Sequence, residues 1–259
     1  MLKPIKARAE PRSKPPPAAK GTKGAGKDRP RRRWRWGRLL LILLAVAVLL
    51  PPLEVGFVRY FDPPVTPLMG LRWLGDQFSA GGQPRVLYRW QDWEELPPSF
   101  LKAVWIGEDQ RFFKHHGFDW VEMSRSLERA EKTGQDPRGS STITMQCARS
   151  LFLWQGRSYV RKGLEAYYTV LMEAFLSKRR IFELYANVIE MGPGVYGVDA
   201  ASRYHYGVES RRLSTEQAVM LAALLPAPRT WNPRAPSKKL QTRETRIMRD
   251  YVAVKWPGA

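Results

Sequence analysis

Apolar residues in this chain fall into two patterns: one unbroken run, and a series of segments in which they recur every three or four positions. The unbroken run reads LLLILLAVAVLL from Leu39 to Leu50 and continues to Val58 with Glu54 as its only ionisable residue. A helix needs about 20 such residues to cross a bilayer, so residues 39–58 read as a transmembrane anchor. From Pro98 the period is helical, with Leu101, Val104, Trp105, Glu108 and Phe112 on one face. Further helices are predicted for Trp120–Lys132, Thr142–Leu153, Tyr159–Leu176, Arg179–Glu190, Gly197–Tyr206 and Ser214–Leu225. The last opens on the capping-box spacing Ser214 to Gln217 and stops before Pro226. Strand-like alternation is confined to Arg85–Trp90, Thr133–Ser141 reads as a loop, and Gly192-Pro193-Gly194 as a tight turn. The expected class is all-α.

Charge changes the picture at the N-terminus. Of the formal +19, the first 38 residues carry 14 Lys or Arg against Glu10 and Asp28. Basic arms often serve nucleic acid, but an apolar span follows this one at once, so topology and contact with anionic lipid are its simpler uses and no nucleic-acid partner is expected. Trp34 and Trp36 among Arg31, Arg32, Arg33, Arg35 and Arg38 mark that flank as cytoplasmic. The Pro-, Ala-, Gly- and Lys-rich tail cannot bury enough apolar surface to fold. The organisation read here is a basic tail (1–38), the anchor (39–58), a connecting region (59–97), a catalytic domain (98–240) and a C-terminal extension (241–259). Cys147 is the lone cysteine and cannot form an intramolecular disulfide.

Three clusters carry candidate chemistry. The first is Glu108 through Gly117, EDQRFFKHHG, in which a carboxylate sits on an apolar face where desolvation would raise its pKa and suit it to act as a base. The second, Arg138 to Arg149, places hydroxyls, an amide and a cation after a glycine turn, a composition that suits a phosphate at a helix N-terminus. The third is Arg161-Lys162-Gly163-Leu164-Glu165, a carboxylate with cations three and four residues away. Paired carboxylates with cations between them suit attack on a sugar bearing a pyrophosphate leaving group. The structural alternatives are a Glu108 paired with Arg111 or a histidine, ordinary capping by Ser140, Ser141 or Thr142, and surface ion pairs around Glu165; sequence alone leaves them open. His115 and His116 are adjacent and cannot share a helical face, so no histidine-built metal site is expected. No Gly-x-Ser-x-Gly elbow is present.

In this order the stretches EDQRFFKHHG (108–117), GSSTITMQ (139–146), RKGLE (161–165), ELYAN (183–187), GVYG (194–197) and the Leu213 to Pro228 segment resemble the peptidoglycan glycosyltransferase family. The likeness is strongest to its monofunctional biosynthetic transglycosylases, relatives of the glycosyltransferase domain of class A penicillin-binding proteins, and it covers roughly residues 85–235. It implies an all-α, lysozyme-like domain with a larger lobe and a small membrane-proximal jaw, preceded by one transmembrane helix. Asp119 to Thr133 would belong to the jaw, with Trp120, Val121, Met123 and Leu127 against lipid. The implied reaction joins lipid II units to a growing glycan chain with inversion and releases polyprenyl pyrophosphate. By the same resemblance Glu108 is the base and Glu165 assists at the donor. Lys162, Arg149, Thr142 and Gln146, with Arg161 and Ser141, bind phosphates or sugars, while Asp109, Phe112, His115, Gly117 and Asn187 hold the cleft. No cofactor is required, and a divalent cation (Mg2+ or Mn2+) is an optional aid. The implied partners are membrane lipids and other cell-wall synthesis proteins. The implied location is the bacterial inner membrane, single-pass, with the N-terminus cytoplasmic and the catalytic domain periplasmic.

The sequence departs from the family pattern at Met145, where a first glutamine is usual, at Arg149-Ser150, where Lys-Asn is usual, and at His205, where Phe is common. Arginine for lysine keeps the charge but turns a point into a fork. Bifunctional relatives carry a transpeptidase after the last motif, and the remaining residues leave no room for one, so polymerisation without cross-linking is expected. Two other readings compete: a lysozyme-like hydrolase, disfavoured because a neutral leaving sugar needs no cations, and an inactive membrane scaffold.

Overall fold

The structure, a computed structural model, describes residues 30–79, 85–134, 141–156 and 158–257. The tail to residue 29, most of the loop read over Thr133–Ser141, and with it Arg138, Gly139 and Ser140 of the second cluster lie outside the described residues. The described residues fall into two compact units, one up to Val46 and one from Ala47 onward. A long helix, α1 (Pro30–Tyr60), runs through both and contains Pro51 and Pro52. Its stretch Trp36–Tyr60 has a mean hydropathy of 2.4 and is long enough to cross a membrane. Leu39 to Leu44 are exposed in the first unit, while Val55 and Val58 enter the core of the second.

The second unit is mostly helical. Within the connecting region lies a helix that periodicity did not reveal, α2 (Pro67–Gln77), started by proline at its first turn and by the Thr66 hydroxyl. There follow α3 (Pro98–Glu108), α4 (Trp120–Thr133), α5 (Ile143–Phe152), α6 (Tyr159–Phe175), α7 (Lys178–Val188), α8 (Val198–Tyr206), α9 (Thr215–Leu224) and α10 (Lys238–Ala253). Polar caps explain most of the starts: Asp119, Thr142, Ser158, Ser177 and Ser237 each accept a backbone N–H of the first turn, and Ser214 completes a capping box with Gln217. The helix predicted through Phe112 ends instead at Glu108, because Asp109 leaves helical geometry at φ −159°.

Two helical groups form the core. α9, apolar on every side after its polar first turn, packs against α3 and α10, with Ala218, Ala222 and Ala223 allowing close approach; α5 packs against α6 and α7. The residues set apart as a C-terminal extension thus include most of a core helix, since Leu240 and Ile247 of α10 are buried. Beside the helices sits a small sheet of β1 (Leu87–Tyr88), β2 (Glu190–Gly192) and β3 (Val195–Tyr196), in the order β1-β3-β2. β1 pairs parallel and β2 antiparallel with β3. Gly194 makes the turn between β2 and β3 at φ +70°, and a Cβ there would lie 2.3 Å from the Arg85 carbonyl oxygen.

Candidate active site

Glu108 and Asp109 are neighbours with opposite duties. Asp109 turns toward α5: its carboxylate accepts the Ile143 backbone N–H at 3.1 Å and the His115 Nε2–H at 3.0 Å, so an anion meets the positive end of a helix. Glu108 closes α3 and faces Gln146 of α5, whose Nε2 donates to Oε2 at 2.7 Å. Tyr185 of α7 fixes that amide's orientation by donating to Gln146 Oε1 at 3.1 Å, and burial drives the Tyr185 phenol's pKa well above its ordinary value, so it remains a donor. Arg243 of α10 donates Nη2 to Glu108 Oε1 and to the Gly107 carbonyl. Burial raises the Glu108 pKa, against the opposing pull of Arg243, Gln146 and Arg149. Desolvation of the charged form wins over the cations.

Glu165 is fully buried on α6, yet both its oxygens meet cations: Arg161 Nη1 at 2.5 Å and Lys162 Nζ at 2.6 Å. Arg161 is itself buried and spends Nε on the Gly156 carbonyl, so it holds Glu165 in place, whereas the Lys162 side chain is 46% exposed. Ser141 joins the two halves. Its carbonyl accepts from Gln146 at 3.3 Å and its hydroxyl from Lys162 at 3.5 Å, so the contacts run Glu108, Gln146, Ser141, Lys162, Glu165 without a break. Arg149 lies near enough to Glu108 and Tyr185 to influence both electrostatically.

The other residues singled out from sequence have structural engagements. Thr142 is buried; its hydroxyl donates to the Gly117 carbonyl at 2.6 Å and accepts the Met145 N–H, which leaves it little capacity for a ligand. Gly117 has φ +86°, and a Cβ there would meet Thr169 Cγ2 at 2.6 Å. Phe112 packs against Phe182 and lies beneath Lys178 Nζ. Asn187 clamps the backbone of Gln91 through both amide atoms, fastening the segment after β1 to α7. Met145 is buried on α5, and the His205 ring Nε2 meets the Met191 carbonyl at 2.8 Å. On α4, Trp120, Val121 and Leu127 stand exposed.

Among the described residues, Asp109, His115 and Asp119 bring potential metal-ligating atoms within 4.8 Å of one another. Their lone pairs are largely committed, because Asp119 caps α4 through Glu122 N and pairs with Arg111 while Asp109 serves α5 and His115. Arg243 was missed by sequence reasoning. The signal that would have found it is the Ser237 cap followed by Leu240 and Ile247 at helical spacing, with Arg243 between them on the same face.

Comparison with known proteins supplies the deciding observation: residues 79–252 match the Transglycosylase family, from just before β1 to the end of α10. The chain belongs to that family. Membership makes it a glycosyltransferase, and the apolar stretch of α1 makes it a membrane-anchored one. It is 45% identical over 201 residues to the biosynthetic peptidoglycan transglycosylase of Pseudomonas aeruginosa, covering 77% of this chain and 84% of that protein. It is 46% identical over 192 residues to a protein of the same name from Pseudomonas putida, covering 74% and 80% of the two chains. A third such protein, from Xanthomonas campestris pv. campestris, is 41% identical over 206 residues, covering 80% and 83%.

Proposed function

We propose that the protein polymerises the glycan strands of peptidoglycan from lipid II by inverting glycosyl transfer, releasing polyprenyl pyrophosphate and forming no peptide cross-links. The observation that carries this reading is the unbroken chain of contacts joining a desolvated carboxylate to a cation-held one through Gln146, Ser141 and Lys162. Glu108 takes the proton of the acceptor's 4-hydroxyl as that oxygen attacks the donor's anomeric carbon. The bond from that carbon to the pyrophosphate oxygen breaks on the opposite face, which inverts the centre. Lys162 presents its half-exposed ammonium to the departing phosphate, oriented by Glu165, with Arg149 as the second cation. Arg161 is assigned to positioning Glu165 and Thr142 to building the floor of the site. A divalent cation, Mg2+ or Mn2+, is an aid to pyrophosphate departure and not a resident group.

The arginine-flanked end of α1 faces the cytoplasm and the domain lies outside it, where membrane lipids, the growing chain and other wall-synthesis proteins meet it. The test is polymerisation of fluorescent lipid II by wild type, Glu108→Gln and Glu165→Gln proteins, with Mg2+, with Mn2+ and with chelator. A glycan ladder from wild type, lost in both variants and surviving the chelator, is expected, together with no labelling by a fluorescent penicillin. A well-folded wild type that makes no ladder would refute the proposal.

A further inference from the structure

Two adjacent tyrosines of α6 reach across to α1. Tyr167 donates its hydroxyl to the backbone carbonyl of Val48 at 2.9 Å, and Tyr168 donates to Glu54 Oε2. Val48 is the residue whose carbonyl a helix would ordinarily pair with the N–H of residue 52, and residue 52 is proline. The orphaned carbonyl lies within the apolar span, where a bilayer would leave no water to satisfy it. Tyr168 also stacks on Phe152, the last residue of α5, with ring centroids 4.5 Å apart and planes 10° from parallel. It stands three residues after Glu165 on the buried face of α6, and Thr169 donates its hydroxyl to the Glu165 carbonyl at 2.7 Å.

We propose that Tyr167 and Tyr168 are positioning residues of the active site: bound to the carbonyl freed by Pro52 and to Glu54, they hold α6, and with it Glu165, in register with α5. The anchor helix is then a structural wall of the site as well as a tether. The outward stripe of α6, Val160, Gly163, Val170 and Ala174, is exposed and apolar, which fits a helix lying along the span at the depth of Val48. This inference rests on the donor-side role proposed for Glu165.

The test uses the full chain in lipid nanodiscs and compares wild type with Tyr167→Phe, Tyr168→Phe, Pro52→Ala and the Pro52→Ala/Tyr167→Phe double variant. Steady-state polymerisation of lipid II, melting temperature and amide exchange across 159–175 are measured on each. Tyr167→Phe and Tyr168→Phe are each expected to lower kcat by about three- to tenfold, the size of one net hydrogen bond, with KM little changed and exchange in α6 faster. Pro52→Ala restores an N–H that competes for the Val48 carbonyl, so its loss and that of Tyr167→Phe should be non-additive. Wild-type kcat in the tyrosine variants, or a loss of melting temperature with kcat per folded molecule unchanged, overturns the proposal, as does strict additivity in the double variant. A Glu165→Gln protein of full activity would instead strike the Glu165 assignment, while the exchange measurement continues to test the clamp.

Discussion

Arg243→Met isolates the electrostatic balance at Glu108. The two side chains are 17% and 11% exposed. A surface ion pair contributes at most about 1 kcal/mol, whereas removing one partner of a fully buried pair costs about 3–5 kcal/mol. The Gln146 hydrogen bond survives the change and some solvent reaches the pair, so the carboxylate should lose about 2 kcal/mol of stabilisation. Burial already raises the Glu108 pKa and Arg243 opposes the rise, so its removal drives that pKa further up. A base protonated over a wider pH range is absent more often on the acidic side. There kcat/KM should fall by about thirtyfold, while at alkaline pH, where both proteins are ionised, the two curves should converge. The assay is the lipid II polymerisation rate across the acidic limb and the plateau, with Arg243→Lys as the charge-conserving control. A ratio constant across the whole profile would refute the argument, since an arginine that only shapes the site would act equally at every pH.

Glu108→Gln should abolish polymerisation while changing the pH dependence of stability. The folded pKa of Glu108 lies above the ordinary 4.5, so the native state binds the extra proton, and wild type loses stability as pH rises through that folded value. The variant's melting temperature relative to wild type should therefore climb over the same interval, and a difference independent of pH would defeat the claim. Gly117→Ala combines a left-handed backbone with a methyl 2.6 Å from Thr169 Cγ2, and should destabilise by about 2–4 kcal/mol. Adding Thr169→Ser removes that methyl and should recover part of the lost melting temperature; no recovery would rule out the steric account.

Most helices from Pro98 to Leu224 were legible because they carry a stripe at helical spacing, a polar cap or both, although α3 and α8 start at Pro97 and Gly197 without a side-chain cap. α2 was not, since only Leu68 and Met69 are buried in it and its exposed face also carries Leu71, Trp73 and Leu74, which blurs the period. α10 was hidden in another way. Its sequence KKLQTRETRIMRDYVA is mostly polar, and although the spacing of Leu240 and Ile247 places Arg243 on the inward face, nothing local names its partner, a carboxylate 135 positions earlier. Glu108 stood out as a carboxylate on an apolar stripe and Glu165 as one with cations at helical spacing, but the nature of Glu165's pairing was an ambiguity of spacing. Surface ion pairs and a buried triad have the same Arg161-Lys162-x-x-Glu165 signature, and only burial tells them apart.

That burial bears on what the site is built to do. Enclosing Glu165 completely with two cations is expensive in desolvation, and a glycan hydrolase expelling a neutral sugar would gain nothing from it. The expense makes sense where negative charge develops on a leaving pyrophosphate, because a lysine oriented in advance needs no reorganisation at the moment of departure. Glu108 has the complementary arrangement: a buried carboxylate for which Arg243, Gln146 and Arg149 together are too weak to cancel the cost of burial. One carboxylate is thus made basic and the other is used to aim a cation. The division of labour between them follows from their surroundings, since both are glutamates at the ends of one chain of hydrogen bonds.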